Sequence, residues 1–251
     1  MRIYPLIGRK ILRFDSLQST QDVAIELARQ GGENGTVVVA EEQKCGRGRW
    51  GRGWFSLRSK ALTLSFLVYP QIPVEYSYYL SLFPAVACAE VIEKIGIECA
   101  LKWPNDIIIE GKKVGGILVD MENEKDRIKW AVVGIGINVN IGSEDFPEEL
   151  KEIATSISIE SGKNLDIEDF LNDILLKMNE KYPLIHSGEG KRKLRSEWLK
   201  RDFLRGKFVK VKIGEIHLAG IEEGIDERGF LRLKVRNGVV SIPSGEVEMV
   251  R

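Results

Sequence analysis

Residues 106–140 read DIIIEGKKVGGILVDMENEKDRIKWAVVGIGINVN. Apolar stretches alternate with polar turn signals near Glu110–Lys112 and Asn123–Asp126. This pattern predicts a meander of three antiparallel strands. A meander of this size constrains everything around it, because its apolar side must be covered by other elements.

The flanking segments supply candidates. STQDVAIELARQGG predicts a helix: Ser19 and Asp22 have capping-box spacing, Val23 and Leu27 mark an apolar face, and Gly31-Gly32 ends it. GTVVVAEEQ and ALTLSFLVYP predict buried strands, the second stopped by Pro70. YSYYLSLFPAVACAEVIEKIG predicts a long, mostly buried helix that Pro84 either kinks or delays. IECALKW predicts a strand, with Pro104 pushing Trp103 into an extended conformation. In DIEDFLNDILLKMNEKYPLI, Ile167, Phe170, Leu171, Ile174, Leu175 and Met178 share one side of a predicted helix, and KRKLRSEWLKRDF predicts a shorter, basic one. After Leu204 the texture changes to short strands broken by glycine-containing turns, Asn237-Gly238 among them. The expected fold is therefore α+β: a mostly antiparallel sheet flanked by helices over residues 1–204, and a small antiparallel β domain over residues 205–251.

Residues 46–54, GRGRWGRGW, fit none of these elements. Such a stretch forms no core and is a poor helix or strand former. Its arginines offer planar forks for phosphate or carboxylate oxygens, its glycines admit anions close to backbone N–H groups, and its tryptophans can stack on a planar ring. A disordered surface loop and an RNA-binding Arg-Gly segment have the same composition. The overall charge favours a small anionic ligand: 37 Lys and Arg balance 37 Asp and Glu, without the basic excess of a nucleic-acid binder. The three cysteines, Cys45, Cys88 and Cys99, have no framework spacing and read as reduced thiols of a cytoplasmic protein. His186 and His217 lie far apart, so no metal-type Cys/His cluster is expected. The first residues are too polar for a signal peptide, and no segment approaches a membrane span.

Three further motifs stand at predicted strand ends. KWPND, residues 102–106, places Asn105 and Asp106 after a proline-stiffened exit, either as a ligand-facing pair or as an ordinary turn. KKVGGILV, residues 112–119, puts Gly115-Gly116 inside a strand, marking a bulge or a close backbone approach. Lys113 beside it is a candidate electrophilic cation or a solvated hairpin lysine. GIGINVN, residues 134–140, delivers Asn138 and Asn140 at a strand end.

Taken in order, Gln43, GRGRWGRGW, KWPND, KKVGGILV and GIGINVN resemble the catalytic domain of the biotin–protein ligases, and the tail resembles that family's SH3-like C-terminal domain. The resemblance runs from about Arg9 to Arg251. It implies a class II synthetase-like catalytic domain with biotin and ATP as substrates and Mg²⁺ as the accompanying ion. It also implies a biotin carboxyl carrier protein as the partner.

Position by position, the resemblance implies the following roles. Ser19 and Thr20 hold the ureido ring of biotin. Gln43, Gly46 and Arg47 contact biotin from the loop side. Arg49 meets the biotin carboxylate and the adenylate phosphate, Arg52 lies on the nucleotide side, and Trp54 packs near adenine. Lys113 stands beside the carboxylate and α-phosphate, chosen over Lys112 by its spacing to Gly115-Gly116. Gly116 lines the biotin pocket and Gly134 offers a backbone contact. Lys102, Asn105, Asp106 and Asn138 match nucleotide-side positions, Asp106 and Asn138 as candidates for Mg²⁺. Arg49 and Lys113 are the expected catalytic groups.

The Ser-Thr pair is reached by residue 19, which leaves no room for the winged helix that many family members carry. A monofunctional ligase without specific DNA binding is therefore expected, with a homodimer as its assembly. A lipoate– or octanoate–protein ligase and an RNA-binding module are the competing readings. The Arg-Gly loop is expected to be mobile until ligand closes it.

Overall fold

The computed structural model describes residues 6–249, so the first five and last two residues of the expected domains lie outside the described residues. The larger sheet has seven strands: β1 (Ile11–Phe14), β2 (Val37–Ala40), β3 (Ala61–Val68), β4 (Ala100–Lys102), β5 (Asp106–Ile109), β6 (Lys112–Glu124) and β7 (Arg127–Asn138). Their order is β1-β2-β3-β7-β6-β5-β4. Only β1 and β2 run parallel; the other pairings are antiparallel. The meander β5-β6-β7 forms as the turn signals predict. Strand β1 has no counterpart among the expected elements: it is short, and residues 13 and 14 are exposed, so little hydrophobic pattern marks it.

Helices α1 (Thr20–Arg29), α2 (Tyr79–Lys94), α3 (Glu148–Lys151), α4 (Ile157–Ser161), α5 (Ile167–Lys181) and α6 (Gly188–Lys200) flank the sheet. Helix α2 begins late, at Tyr79, and Pro84 falls in its second turn, where one backbone hydrogen bond is forgone. Ser19 caps α1, but by a simple N-cap bond and not by the expected capping box. Its hydroxyl accepts the Gln21 N–H, while Asp22 turns to Arg47.

The alternation of side chains along each strand explains the layering. On one face, Leu62, Leu64, Phe66, Val133, Ile135, Ile137 and Ile117 join the core with α2 and α5. Each such side chain contributes about 1.5–3 kcal/mol on full burial. The other face changes character along its length. Val38, Leu67, Trp130 and Val132 pack on Ala24 and Ala28 of α1. Farther along the same strands, that face carries Thr63, Ser65, Gly134, Gly136 and Gly116, which are too small to hold a helix. The face is left open there.

The second sheet comprises β8 (Phe208–Ile213), β9 (Ile216–Ile225), β10 (Leu231–Val235), β11 (Gly238–Ile242) and β12 (Glu246–Met249), in the order β11-β10-β9-β8-β12, all antiparallel. The β10-β11 turn is one residue off the expected position: Val235 pairs with Gly238, so Arg236 and Asn237 form the loop. Val209, Val211, Ile225, Leu231 and Leu233 are continuous with the main core. Trp103 Nε1 donates to the Gly229 carbonyl, tying the KWPND turn to this sheet. The Trp103-Pro104 peptide is cis.

Candidate active site

The open sheet face is the floor of a cleft of about 590 Å³. Register aligns Thr63, Gly136, Gly116, Asp106 and Lys102 across five strands. The next row holds Ser65, Gly134 and Leu118. Three of the motifs, KWPND, KKVGGILV and GIGINVN, therefore converge because alternate residues of paired strands face the same way. The glycines are needed for close approach. A Cβ at Gly134 would lie 2.5 Å from Gln21 Oε1, and one at Gly136 would lie 2.5 Å from the Trp54 ring.

The N-terminus of α1 enters one end of this floor. Thr20 N–H donates to Gln43 Oε1 at 2.7 Å, which fixes that amide with its oxygen inward. The Thr20 hydroxyl lies 3.0 Å from the same oxygen and 2.9 Å from Ser65 Oγ. Ser65 Oγ lies 2.9 Å from Gln21 Oε1. The first two N–H groups of α1 are thus taken by Gln43 and by Ser19 Oγ, and the Ser19 O–H remains as the donor facing the cleft.

Residues 46–54 form a hairpin rather than a structureless loop. Arg47 and Gly53 pair, Gly48 N–H donates to the Arg52 carbonyl, and Trp54 N–H donates to the Gly46 carbonyl. Trp50 stands at the tip with φ 59 and is 64% exposed, its ring beside the Arg49 guanidinium. A positive φ is uncommon for so bulky a residue.

The three arginines diverge. Arg47 pairs with Asp22 at 2.8 Å and approaches Asp120 at 3.7 Å. Arg52 pairs with Glu246 of β12 at 2.6 Å. Arg49 forms no ion pair among the described residues: its guanidinium lies beside the Trp50 ring and donates to the Gly245 carbonyl at 3.5 Å. Burial lowers its pKa from the usual value, and the Asp106 carboxylate opposes that shift.

Lys113 Nζ pairs with Asp106 Oδ1 at 2.5 Å and lies 5.6 Å from the centre of the Trp54 ring. Lys112 points elsewhere, donating to the Lys151 carbonyl, so geometry separates two lysines that spacing alone left close. Asn105 stitches its turn to β6, with Nδ2 donating to the Ile117 carbonyl. Asn138 donates to the Thr155 carbonyl, and its Oδ1 is buried without a partner among the described residues.

All the expected contact residues except Gly46 line the cleft; Gly46 holds Trp54 from behind. The two candidates for Mg²⁺ each have another partner, Asp106 the Lys113 ammonium and Asn138 the Thr155 carbonyl. Asp106 and Asn138 are two strands and one pleat apart on the same sheet face.

Several lining groups were missing from the sequence reading. Thr63 and Ser65 are the polar members of an otherwise apolar strand, a period-two signal present in LTLSF. Gln21, Gly136, Phe146, Leu150 and Gly245-Glu246 also border the cleft, and the last two come from the other sheet.

The chain matches the Biotin/lipoate A/B protein ligase family over residues 13–138 and the Biotin protein ligase C terminal domain over residues 206–250. It is 38% identical over 245 residues to the bifunctional ligase/repressor BirA of Bacillus spizizenii, covering 97% of this chain and 75% of that one. It is 31% identical over 237 residues to the biotin--[acetyl-CoA-carboxylase] ligase of Paracoccus denitrificans, covering 91% and 96%. Among solved structures, the biotin protein ligase from Aquifex aeolicus in complex with biotin and ATP superposes with a TM-score of 0.81 at 32% identity, covering 97% and 99%. With this cleft, these two sheets and these relatives, the chain belongs to the biotin protein ligase family.

Proposed function

We propose that this chain joins biotin to a carrier protein in two steps. A biotin carboxylate oxygen attacks the α-phosphorus of ATP, the bond to pyrophosphate breaks, and biotinyl-5′-AMP forms. The neutral amine of a lysine on a biotin carboxyl carrier protein then attacks the acyl carbon. The C–O bond breaks, AMP leaves, and the surplus amine proton passes to solvent.

One observation carries the choice of biotin over lipoate or octanoate. Four oxygens, of Gln43, Thr20, Ser65 and Gln21, make three close contacts, and only two hydroxyl protons are available to fill them. Both amide oxygens are fixed as acceptors by other donors and acceptors around them. The cluster is one proton short and calls for a ligand that donates N–H. A ureido ring does so; a dithiolane or an alkyl chain does not.

The rest of the cleft suits the chemistry. Two anions must meet, and Arg49, Lys113 and Lys102 offset their repulsion and the charge that grows on phosphorus. Arg49 serves the carboxylate and α-phosphate, and Lys113 turns from Asp106 to the reacting oxygens. Asp106 and the unpaired Asn138 Oδ1 are hard oxygen donors. Either could take one position on a magnesium ion that arrives with ATP and keeps water and phosphate oxygens elsewhere. When bound, that ion further neutralises the phosphates.

Biotin-dependent ATP–pyrophosphate exchange, run beside lipoate and octanoate, tests the reading. Exchange with biotin alone is expected; exchange with lipoate or octanoate but not biotin overturns it. The same reading carries a homodimer and no sequence-specific DNA binding, checked by sedimentation and by titration with operator-length duplexes.

A further inference from the structure

Gln21 is 2% exposed and sits at the inner end of the hydrogen-bonded cluster. Its Nε2 donates to Asp120 Oδ2 at 2.9 Å and to the Val132 carbonyl at 3.2 Å. Flipping the amide would set its oxygen against two acceptors, so the orientation is forced. The outward oxygen then takes the Ser65 proton. Ser65 is left with lone pairs toward Thr20, whose single hydroxyl proton must serve both Gln43 Oε1 and Ser65 Oγ. Asp120 also approaches Arg47 at 3.7 Å, at the base of the hairpin.

We propose that Gln21, oriented by Asp120, is a specificity-determining residue that sets the donor–acceptor polarity of the subsite, so that it accepts N–H donors and rejects isosteres without them. The inference rests on the biotin reading above and goes beyond it, because neither residue is expected to touch the reacting atoms. Without Gln21, the Ser65 proton becomes free to turn toward Thr20. The shortage of one proton then disappears, and with it the selectivity.

The test uses the full chain with biotin and with biotin methylated at one ureido nitrogen. Calorimetry of ligand binding alone is combined with exchange kinetics. In Gln21→Met, the KM for biotin should rise about 10- to 100-fold, on the scale of one to two buried hydrogen bonds, while the KM for ATP stays within about twofold. The preference for biotin over the methylated analogue should fall by at least about tenfold. Asp120→Ala should do the same in weaker form. Asp120→Asn keeps an acceptor for Gln21 and should restore binding to within about threefold of the parent.

Unchanged discrimination in Gln21→Met overturns the proposal. So does a parallel loss of ATP and biotin affinity in both Gln21→Met and Asp120→Asn, which would mark a merely structural role. If the parent chain itself shows no biotin-dependent exchange, the functional reading fails instead, and the two failures are distinguishable.

Discussion

Two buried polar clusters sit in this molecule and are built on opposite plans. The first, Gln43-Thr20-Ser65-Gln21, lines the cleft, is neutral, and is short of one donor. The second lies where the two sheets meet. There Asp202, just past α6, faces Glu222 of β9, which is 1% exposed. Asp202 Oδ2 and Glu222 Oε2 are both buried without a hydrogen-bond partner among the described residues, which favours the protonated form of each. Burial is the leading cause that pushes Asp202 up to about 6 and Glu222 up to about 8, with Asp202's charge adding to the rise at Glu222. Tyr78 stands near both, and burial and their charge raise its pKa well above the usual value. Arg205 and Lys207 bear on the pair from the connecting segment. A cluster of neutral groups that opens on a cleft can leave a bond for a ligand to make. A sealed cluster of acids has no ligand to complete it, and burial pushes it toward the protonated form. The first selects; the second titrates.

The comparison can be broken most severely from the cleft side. Arg49→Ala or Lys113→Ala should lower biotin-dependent exchange by about 10²–10³-fold with an unchanged thermal transition. Near-normal exchange in both would remove the catalytic roles assigned to them. Next in size is Ser65→Ala, which leaves the Gln21 oxygen unpaired and should raise the KM for biotin roughly tenfold. That KM should be flat between about pH 6 and 8, since no member of the cluster titrates there. A KM that climbs with pH in that window would mean that a titrating group governs recognition.

The seam should behave in the reverse way. Both carboxyls hold their protons more tightly in the folded chain than at the ordinary unfolded value of about 4. The folded state therefore binds more protons between about 4 and 8, and stability must fall as pH rises through that range. The melting temperature is expected to be a few degrees lower at pH 8.5 than at pH 6. Glu222→Gln retains a donor for Asp202 without the titration, and should flatten the upper half of that slope. An unaltered slope would show that the seam pair does not control it.

Trp50→Asn touches neither cluster. It places a residue tolerant of positive φ at the hairpin tip and should change stability by no more than about 1 kcal/mol, in the favourable direction. A larger loss would reveal that the Trp50 ring holds Arg49 in place.

Much of the cleft was legible because its chemistry is concentrated in short segments. KWPND, Lys113 with Gly115-Gly116, and GIGINVN each carry a residue type that a plain strand end does not need. The meander that arranges them announces itself in two turn signals. The less legible parts have physical reasons. Strand β1 is short and half-exposed, so no strong apolar pattern marks it. The α1 cap was visible, but the partner of Asp22 was not, since Arg47 reaches it only through the hairpin. Composition left residues 46–54 open between a disordered and a ligand-binding loop, because glycine content does not report the cross-hairpin bonds that form there.

The sequence by itself determined the α+β layout and the run of short C-terminal strands. These depend on local periodicity, turn chemistry and spacing along the chain. Only the tertiary structure decided that Lys112 turns away to the Lys151 carbonyl while Lys113 pairs with Asp106. It alone placed Gln21 and Asp120 behind the ligand subsite, and Asp202 against Glu222 across the seam. These outcomes depend on strand register and sheet packing, which join residues with no fixed relation in sequence.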